Sequence, residues 1–446
     1  MLPRWPRMAL GVLVGCAVLL AGCRSVGHSE AVAEPVRPDW HVADLPTPPG
    51  APGRLVLRDA VACAGRWVAV GAVADAAGET RPAAWASADG MSWSAVPVRA
   101  ETFYGAQHVL YAAACRDGRL AALGAQVGGV HGNPRTGSWV LRPDGVLREV
   151  PAAFELFGGP RAVSVARLAA GSGGWLIAGA RVDGAAVWTS LDASGFTLRE
   201  GVPELTGDAR GRTAAYDAVA LGSGWLVVGS VLPAGGAALA PLVWRSAEGR
   251  SWRRAALPAP DGGGRADRVV LLDGAPVVVG PVRDGFAAWR PVSGDPVPVS
   301  GDLVSGEPAA ATPARAADLG PAGGSTGVDG SRGLDDGSAG VDGSAGVDGW
   351  RRVGGFGSAG PGVSSVSGLA VAGRALVAVV GDGAGRRVWV SVDGGASWRP
   401  VTVPVSVAGG GDTALVVAAD GDRLWLAADD GRVSRAWWAR LPVVDR

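Results

Sequence analysis

The residue types that most often perform catalysis or bind metals are few in this chain and widely spaced. The 446 residues include four histidines, four cysteines and three tyrosines, and no lysine. His28, His41, His108 and His131 are far apart, and no paired-histidine, paired-cysteine or nucleophile-elbow spacing occurs. The sequence therefore predicts no catalytic residue, no metal site and no cofactor.

The beginning of the chain indicates export. Arg4 and Arg7 precede an apolar run over residues 8–22, which is too short to span a bilayer comfortably and is typical of a signal peptide. The run ends in Leu-Ala-Gly before Cys23, which resembles a bacterial lipobox. An ordinary signal peptide followed by a coincidental cysteine is the alternative.

The lipobox resemblance implies a lipoprotein signal peptide over residues 1–22 and a mature chain that begins at Cys23. Acyl chains on Cys23, such as palmitate, would be the anchor to the cell membrane, and the protein would be extracytoplasmic. Residues 23–38 show no periodic pattern and are expected to form a lipidated tether.

Composition excludes one class of partner. Basic and acidic residues balance at 41 each, so there is no basic excess for nucleic acid. The abundance of alanine, glycine and arginine suggests a GC-rich genome, such as that of an actinobacterium. Glycine occurs 72 times, which favours short strands joined by tight turns.

A unit of about 50 residues recurs along the chain. Each copy has an inner apolar strand, a second strand ending in glycine or alanine, and a third strand with a tryptophan. The seven tryptophans are Trp85, Trp139, Trp188, Trp244, Trp289, Trp389 and Trp437. Four short antiparallel strands at this period are typical of a propeller blade. The sequence predicts an all-β, seven-bladed β-propeller over residues 39–446, monomeric, with the tryptophans packed between blades.

The two ends of this region predict how the ring closes. The last copy has three strands, whereas the segment from Trp40 to Pro46 resembles the fourth strand from Trp252 to Pro258. We therefore expect the N-terminal segment to supply the outer strand of blade seven, which pairs an otherwise open sheet edge.

A serine–aspartate turn follows several third strands. Ser391, Asp393, Gly395 and Trp398 resemble the Asp-box of sialidases and other BNR-repeat proteins, and Ser87, Asp89 and Trp93 form a shorter relative. The side chains of serine and aspartate can bond to the turn backbone, and glycine supplies positive φ. The resemblance implies a structural role on the face opposite the family's substrate site.

Blade five contains an insertion. Residues 295–348 are rich in glycine, alanine and proline and end in four related hexads of the type Gly-Ser-Ala-Gly-Val-Asp. Regular Gly and Asp resemble calcium-binding repeats, although the period is six rather than nine. A flexible low-complexity loop is the alternative.

Cys63 and Cys115 end the inner strands of blades one and two. An exported protein permits a disulfide between them, whereas the distance between adjacent inner strands leaves two buried thiols as the alternative.

The resemblance to sialidases raises the question of hydrolysis. That family requires an arginine triad, a tyrosine nucleophile with an acidic partner, and an aspartate acid/base. No such Tyr–acid pair can be deduced for Tyr104, Tyr111 or Tyr216, and an early Phe/Tyr-Arg-Ile-Pro motif is absent.

The opposite face of the propeller offers candidates for binding. Arg161, Arg212, Arg268, Tyr104 and His131 fall in or beside its loops. Arginines at one level of the ring could recognise a carboxylate or phosphate. Arginines paired with nearby aspartates are the alternative.

We therefore expect a cell-surface lipoprotein whose propeller binds a ligand or partner, such as an anionic glycan, a peptide or an envelope protein, without catalysis. A sialidase-like exo-glycosidase and a scaffold for an envelope complex are the alternatives.

Overall fold

The computed structural model describes residues 34–126, 134–259, 262–292, 349–360 and 362–441. They form seven sheets around a central channel. In blades one to six the four main strands follow sequence order from the channel outward, and in blade seven the N-terminal strand is outermost. Blade one consists of β2 (Arg54–Cys63), β3 (Arg66–Ala74), β4 (Thr80–Ser87) and β5 (Trp93–Val96). Blade two consists of β7 (Val109–Arg116), β8 (Arg119–Gln126), β9 (Arg135–Leu141) and β10 (Leu147–Val150). The seven-bladed propeller predicted from the repeat is confirmed.

The next three blades are regular in topology. Blade three consists of β11 (Ala162–Gly171), β12 (Gly174–Arg181), β13 (Gly184–Ser190) and β14 (Thr197–Arg199). Blade four consists of β15 (Gly211–Leu221), β16 (Gly224–Pro233), β17 (Ala240–Ser246) and β18 (Arg253–Ala256). Blade five is β19 (Arg268–Leu272), β20 (Ala275–Val282), β21 (Gly285–Pro291) and β22 (Trp350–Phe356).

Blades six and seven complete the ring. They are β23 (Ser365–Ala372), β24 (Ala375–Gly381), β25 (Gly385–Ser391) and β26 (Arg399–Val401), then β28 (Ala414–Asp420), β29 (Arg423–Asp429), β30 (Ser434–Arg440) and the N-terminal β1 (His41–Ala43). Two short strands extend the blades: β6 (Val98–Arg99) pairs with β10, and β27 (Val407–Ala408) pairs with β25. The single α-helix among the described residues is one turn, α1 (Phe154–Phe157).

The N-terminal strand closes blade seven as expected. Strand β1 runs antiparallel to β30, with Val42 opposite Trp437, and His41 stacks on Trp438 with ring centroids 4.6 Å apart. Backbone groups that would form an open edge are thereby paired.

The closing segment reaches further than the sequence indicates. Val36 is 4% exposed and bonds to blade six, where its N–H donates to the Pro400 carbonyl at 2.8 Å. The Trp40 indole donates to the Thr402 carbonyl, also at 2.8 Å. Residues 36–38, expected to belong to the tether, are therefore part of the propeller, and the segment fastens blades six and seven. Cys23 and tether residues 24–33 lie outside the described residues.

Hydrophobic clusters join neighbouring blades around the whole ring, including blades seven and one. Each third-strand tryptophan packs in the cluster shared with the preceding blade. In blades one, three, four and five its indole N–H also donates to a carbonyl of the linker that arrives from that blade, as from Trp244 to Glu204 at 2.7 Å. Tryptophan recurs because one side chain both fills the junction between blades and can donate a hydrogen bond to a linker carbonyl.

The insertion of blade five interrupts a hairpin without disturbing its strands. Pro291 of β21 lies opposite Trp350 of β22 in the antiparallel ladder. Residues 295–348 fall outside the described residues. Their point of entry lies between the third and fourth strands, where added length costs little loop-closure free energy.

Candidate ligand-binding site

Most inner strands contain one residue more than the second strand they pair with, at an equivalent position in each blade. Register shifts fall between Leu57 and Asp59, Leu110 and Ala112, Val165 and Arg167, Ala215 and Asp217, and Val366 and Gly368. These are β-bulges, which kink a strand and re-aim its side chains. Strands β28 and β29 of blade seven pair without a shift.

In blades one, three and four the bulge explains the glycine that ends the second strand. A Cβ on Gly71 or Gly229 would overlap the carbonyl oxygen of Val56 or Ala214 on the bulged inner strand. Blade seven lacks the bulge and has Ala428 at the same place in the repeat. The glycine is therefore required by close approach of two backbones rather than by a turn.

The bulges place charged side chains in the channel. Asp59, Arg167, Asp217 and Arg268 come from blades one, three, four and five, and they line a cavity of about 440 Å³. Arg58 and Arg386 line the same cavity, so four arginines face two aspartates there.

The aspartates at this level bind the next blade along the ring. Asp59 accepts the Ala113 N–H at 2.9 Å, Asp217 accepts the Val269 N–H at 3.2 Å, and Asp267 accepts the Val366 N–H at 2.8 Å. Each carboxylate therefore joins adjacent inner strands.

The arginines are neutralised unequally. Arg167 lies 3.2 Å from Asp59, and Arg58 lies 2.6 Å from the buried Asp429. In the described part of the chain, Arg268 donates to the carbonyls of Asp267 and Ser367 and no carboxylate, and Arg386 donates to Thr413.

The pKa directions reflect this imbalance. Burial lowers the pKa of Arg268, and the nearby charge of Arg167 lowers it further. Burial and the charge of Arg58 lower the pKa of Arg386. Burial raises the pKa of Asp217, against the opposing effect of Arg268 and Arg167. An anion in the channel would relieve the repulsion among these guanidinium groups.

The channel becomes apolar towards the ends of the inner strands, where Ala62, Val371 and Ala419 line it. At that end the structure joins Cys63 and Cys115 in a disulfide with 5.4 Å between their Cα atoms. Adjacent inner strands are thus close enough for the bridge.

The tyrosines near the channel are not arranged as nucleophiles. The Tyr111 hydroxyl donates to the Val165 carbonyl at 2.8 Å, and burial raises its pKa. Tyr216 bonds to the Ser230 hydroxyl at 2.8 Å. A nucleophilic tyrosine needs an acidic partner, and the hydroxyls of both residues bond to neutral groups instead.

The arginines expected at one level occupy different places. Arg268 lies in the channel, whereas Arg161 lies at the rim and pairs with Asp183 and Glu200. Arg212 is exposed on β15 and does not line this cavity. Of the three, Arg268 alone is brought together with other charged groups of the channel.

Tyr104 belongs to an exposed aromatic cluster on the face where the inner strands begin. The Arg135 guanidinium carbon lies 5.1 Å from the centre of the Tyr104 ring and 4.3 Å from that of Phe154. His131 lies outside the described residues.

The serine–aspartate turns on the opposite face satisfy their own backbone. The Ser391 hydroxyl donates to Asp393 and accepts the Gly395 N–H, both at 2.8 Å, and Trp398 donates to the Gly395 carbonyl at 3.0 Å. Ser87, Asp89 and Trp93 repeat these bonds. Backbone N–H groups lower the pKa of Asp89, which indicates a structural carboxylate.

Sequence reasoning missed Asp59, Arg167, Asp217 and Arg386. Three of these stand directly after a bulge. An alignment of the inner strands on the following second-strand glycine would have placed those three at one level. Arg386 starts a third strand and leaves no comparable signal.

The described residues contain neither a candidate metal site nor a candidate membrane-spanning helix. No group of three or more histidine, cysteine, aspartate or glutamate side chains there could hold a metal ion. No helix in the same part of the chain has the length and apolarity needed to cross a membrane.

Known proteins offer resemblance in shape alone. No family model and no curated protein matches the chain. A Trypanosoma rangeli sialidase in complex with 2,3-difluorosialic acid superposes with a TM-score of 0.40 at 11% identity, covering 87% of this chain and 54% of the sialidase. This chain thus spans about half the length of that sialidase.

Two peptidase structures are similar to a comparable degree. A prolyl endopeptidase gives a TM-score of 0.46 at 11% identity over 88% of this chain and 51% of the enzyme. The β-propeller domain of the Trilobed protease from Pyrococcus furiosus gives 0.43 at 8% identity over 87% and 96%. The fold of this chain is therefore established by its own strand pairing.

Proposed function

We propose that this protein is an extracytoplasmic lipoprotein, anchored through Cys23, whose propeller binds an anionic ligand in its channel without changing it chemically. The observation that carries the proposal is the charge of the channel. Four arginines and two aspartates line one cavity, and Arg268 and Arg386 bond to no carboxylate in the described residues. Guanidinium groups recognise carboxylate, sulfate and phosphate through paired N–H donors.

The absence of catalysis in this proposal rests on how the acids are used. Asp59 and Asp217 accept backbone N–H groups, and Asp59 also pairs with Arg167. General acid–base catalysis requires a group that can exchange a proton with the substrate, and carboxylates held in this way stabilise the ring instead.

The binding test uses the mature protein and a panel of small anions: sulfate, phosphate, citrate and glucuronate, with neutral glucose as control. We expect calorimetry to detect an anion whose affinity falls as salt is added, because exposed and half-buried charges are screened. Arg386→Gln should weaken that binding at least tenfold, whereas Arg212→Gln, at an exposed site away from the channel, should not.

The proposal fails if glucose binds as well as the anions, or if Arg386→Gln binds normally. A panel of chromogenic glycosides, including sialosides, tests the enzymatic alternative. Turnover lost on Asp217→Asn would contradict the non-catalytic assignment. Retention of the protein by membranes after Cys23→Ala would contradict the lipid anchor.

A further inference from the structure

The aromatic cluster on the face where the inner strands begin is a second feature, and none of its residues lines the cavity of about 440 Å³ in the channel. We name it the aromatic–arginine patch: Phe103, Tyr104, Arg135 and Phe154. Phe103 is 74% exposed and Phe154 is 51% exposed, and the Phe103 and Tyr104 rings meet edge to face with centroids 5.4 Å apart. Exposed aromatic side chains that are held in place are typical of binding surfaces.

Arg135 is positioned but unpaired within this patch. Its guanidinium is covered by Phe154 on one side and contacts Tyr104, and its Nε atom is buried without a hydrogen-bond partner in the described residues. Stacking on rings occupies the faces of a guanidinium and leaves its N–H edge for a planar acceptor. The patch therefore presents a positive charge suited to a carboxylate.

The loop that carries Phe103 and Tyr104 is held in place by hydrogen bonds to the buried side chain of Glu149. The buried Glu149 carboxylate accepts the N–H groups of Glu101 and Thr102, each at 2.8 Å, and the Thr102 hydroxyl at 2.7 Å. The following glycine is required, since a Cβ on Gly105 would overlap Glu149. A surface that is ordered before binding loses little conformational entropy when it binds.

A cavity of about 580 Å³ is lined by Pro134 and Thr136, the chain neighbours of Arg135, and by Arg58 of the channel. Its apolar lining includes Val109, Pro134, Phe157, Val163 and Val165. An apolar side chain of a partner would find a matching surface there.

The polar groups of this cavity are largely committed to the protein itself. The Thr80 hydroxyl donates to the Gln107 carbonyl at 2.6 Å, Gln126 donates to the Gln107 side chain, and the Tyr111 hydroxyl donates to Val165. Glu79 is exposed at the border, and Asp412 already pairs with Arg58. Few groups remain to bond the hydroxyls of a sugar, which favours an apolar occupant.

We propose that the aromatic–arginine patch and its cavity form a docking site for an extended peptide segment of another protein. The segment would place a carboxylate side chain on the edge of Arg135 and a neighbouring large apolar side chain in the cavity. Both requirements follow from the residues of the site: one unpaired guanidinium and a lining rich in Val, Ala, Pro and Phe.

The experiment uses the mature protein in detergent and an array of nonapeptides. Each peptide holds one Glu or Asp and one Leu, Met or Phe at varied spacing in a Gly/Ser background. Matched arrays replace the acid with its amide or the apolar residue with Ser. We expect binding of the parent peptides, and a loss of at least tenfold in either matched array.

Variants locate the binding. Arg135→Gln should weaken the best peptide at least tenfold, Arg135→Lys should restore only part of the affinity, and Phe154→Ala should weaken it as well. Arg212→Gln is the matched control at another exposed arginine and should bind normally. Melting temperatures of all variants check that each is folded.

Three results would overturn the proposal: no peptide binding at millimolar concentration, equal binding by Arg135→Gln, or binding of polygalacturonate through Arg135 where peptides fail. The Arg386 variant separates the two proposals, because Arg386 does not line this cavity and Arg386→Gln should leave peptide binding unchanged. Failure here is therefore distinguishable from failure of the proposed anion binding.

Discussion

The two faces of this propeller use polar and aromatic side chains for different purposes. On the face with the third-to-fourth strand hairpins, Ser391, Asp393 and Trp398 bond to their own turn and leave that backbone satisfied. On the other face, Arg135 is held between rings without an acceptor, and Phe103 is exposed. The polar groups of the first face complete its own turns, whereas the second face holds a buried Nε atom of Arg135, unpaired in the described residues, beneath exposed aromatic rings.

The difference follows from the connections. Hairpins between adjacent strands are short, so a few polar side chains complete their turns. The linkers on the other face must cross from the outer strand of one blade to the inner strand of the next. Their extra residues have fewer local partners, and this is where propeller loops can acquire a binding role.

The largest expected effect concerns the face with the hairpins, where a disulfide joins blades one and two. The double variant Cys63→Ser, Cys115→Ser releases a crosslink between residues 52 apart in sequence. The loop-entropy relation predicts a loss of about 4 kcal/mol in the free energy of unfolding. Urea unfolding of oxidised wild type and variant measures it. Unchanged stability would show that the crosslink contributes nothing to this face.

A second test compares a bulged blade with the blade that has no bulge. Gly229→Ala forces a Cβ against the Ala214 carbonyl, and we expect a loss of about 3 kcal/mol. Ala428→Gly, at the same place in blade seven, is the matched control and should cost about 1 kcal/mol through backbone entropy. Urea unfolding of both decides the point. Equal losses would mean that the bulge does not require the glycine.

A third test separates the hydrogen bond of the junction tryptophan from its volume. Trp244→Phe removes a bond to the Glu204 carbonyl, whereas Trp389→Phe removes an indole whose N–H has no partner in the described residues. We expect Trp244→Phe to lose about 1 kcal/mol more than Trp389→Phe. A smaller loss for Trp244→Phe than for Trp389→Phe would contradict this role for the indole N–H.

A smaller effect should appear with pH beneath the aromatic–arginine patch. His108 is buried, its Nδ1 accepts the Trp139 indole N–H at 3.2 Å, and its ring bonds to the backbone of Arg135. Burial lowers the pKa of His108, although the charge of Glu149 opposes the shift. Because the folded pKa lies below the ordinary value of about 6.5, the unfolded chain binds more protons below that pH and stability falls.

The measurement is urea unfolding between pH 8 and pH 5 for wild type and His108→Gln. Wild type should lose stability relative to the variant as the pH falls below about 6.5. A constant difference across this range would show that His108 does not titrate with folding.

The fold could be predicted because its markers recur. The third-strand tryptophans and second-strand glycines repeat at blade spacing, and the segment from Trp40 to Pro46 matches a known fourth strand of the same chain. The site was less accessible. Asp59, Arg167 and Asp217 acquire their positions from bulges, whose marker in the sequence is the glycine of the following second strand. The lack of a partner for the Arg135 Nε atom among the described residues is a property of three-dimensional packing.

The claim that one face binds a partner and the other stabilises the fold is tested most directly by measuring stability and peptide capture on the same variants. Phe103→Ala and Phe154→Ala change the aromatic–arginine patch, and Asp89→Ala and Asp393→Ala change the turns on the opposite face. We predict that the first pair loses peptide capture with an unchanged melting temperature. The second pair should melt earlier, by a loss of about 1 kcal/mol each, and capture normally. Lost capture in the aspartate variants, or full capture in both phenylalanine variants, would contradict the account.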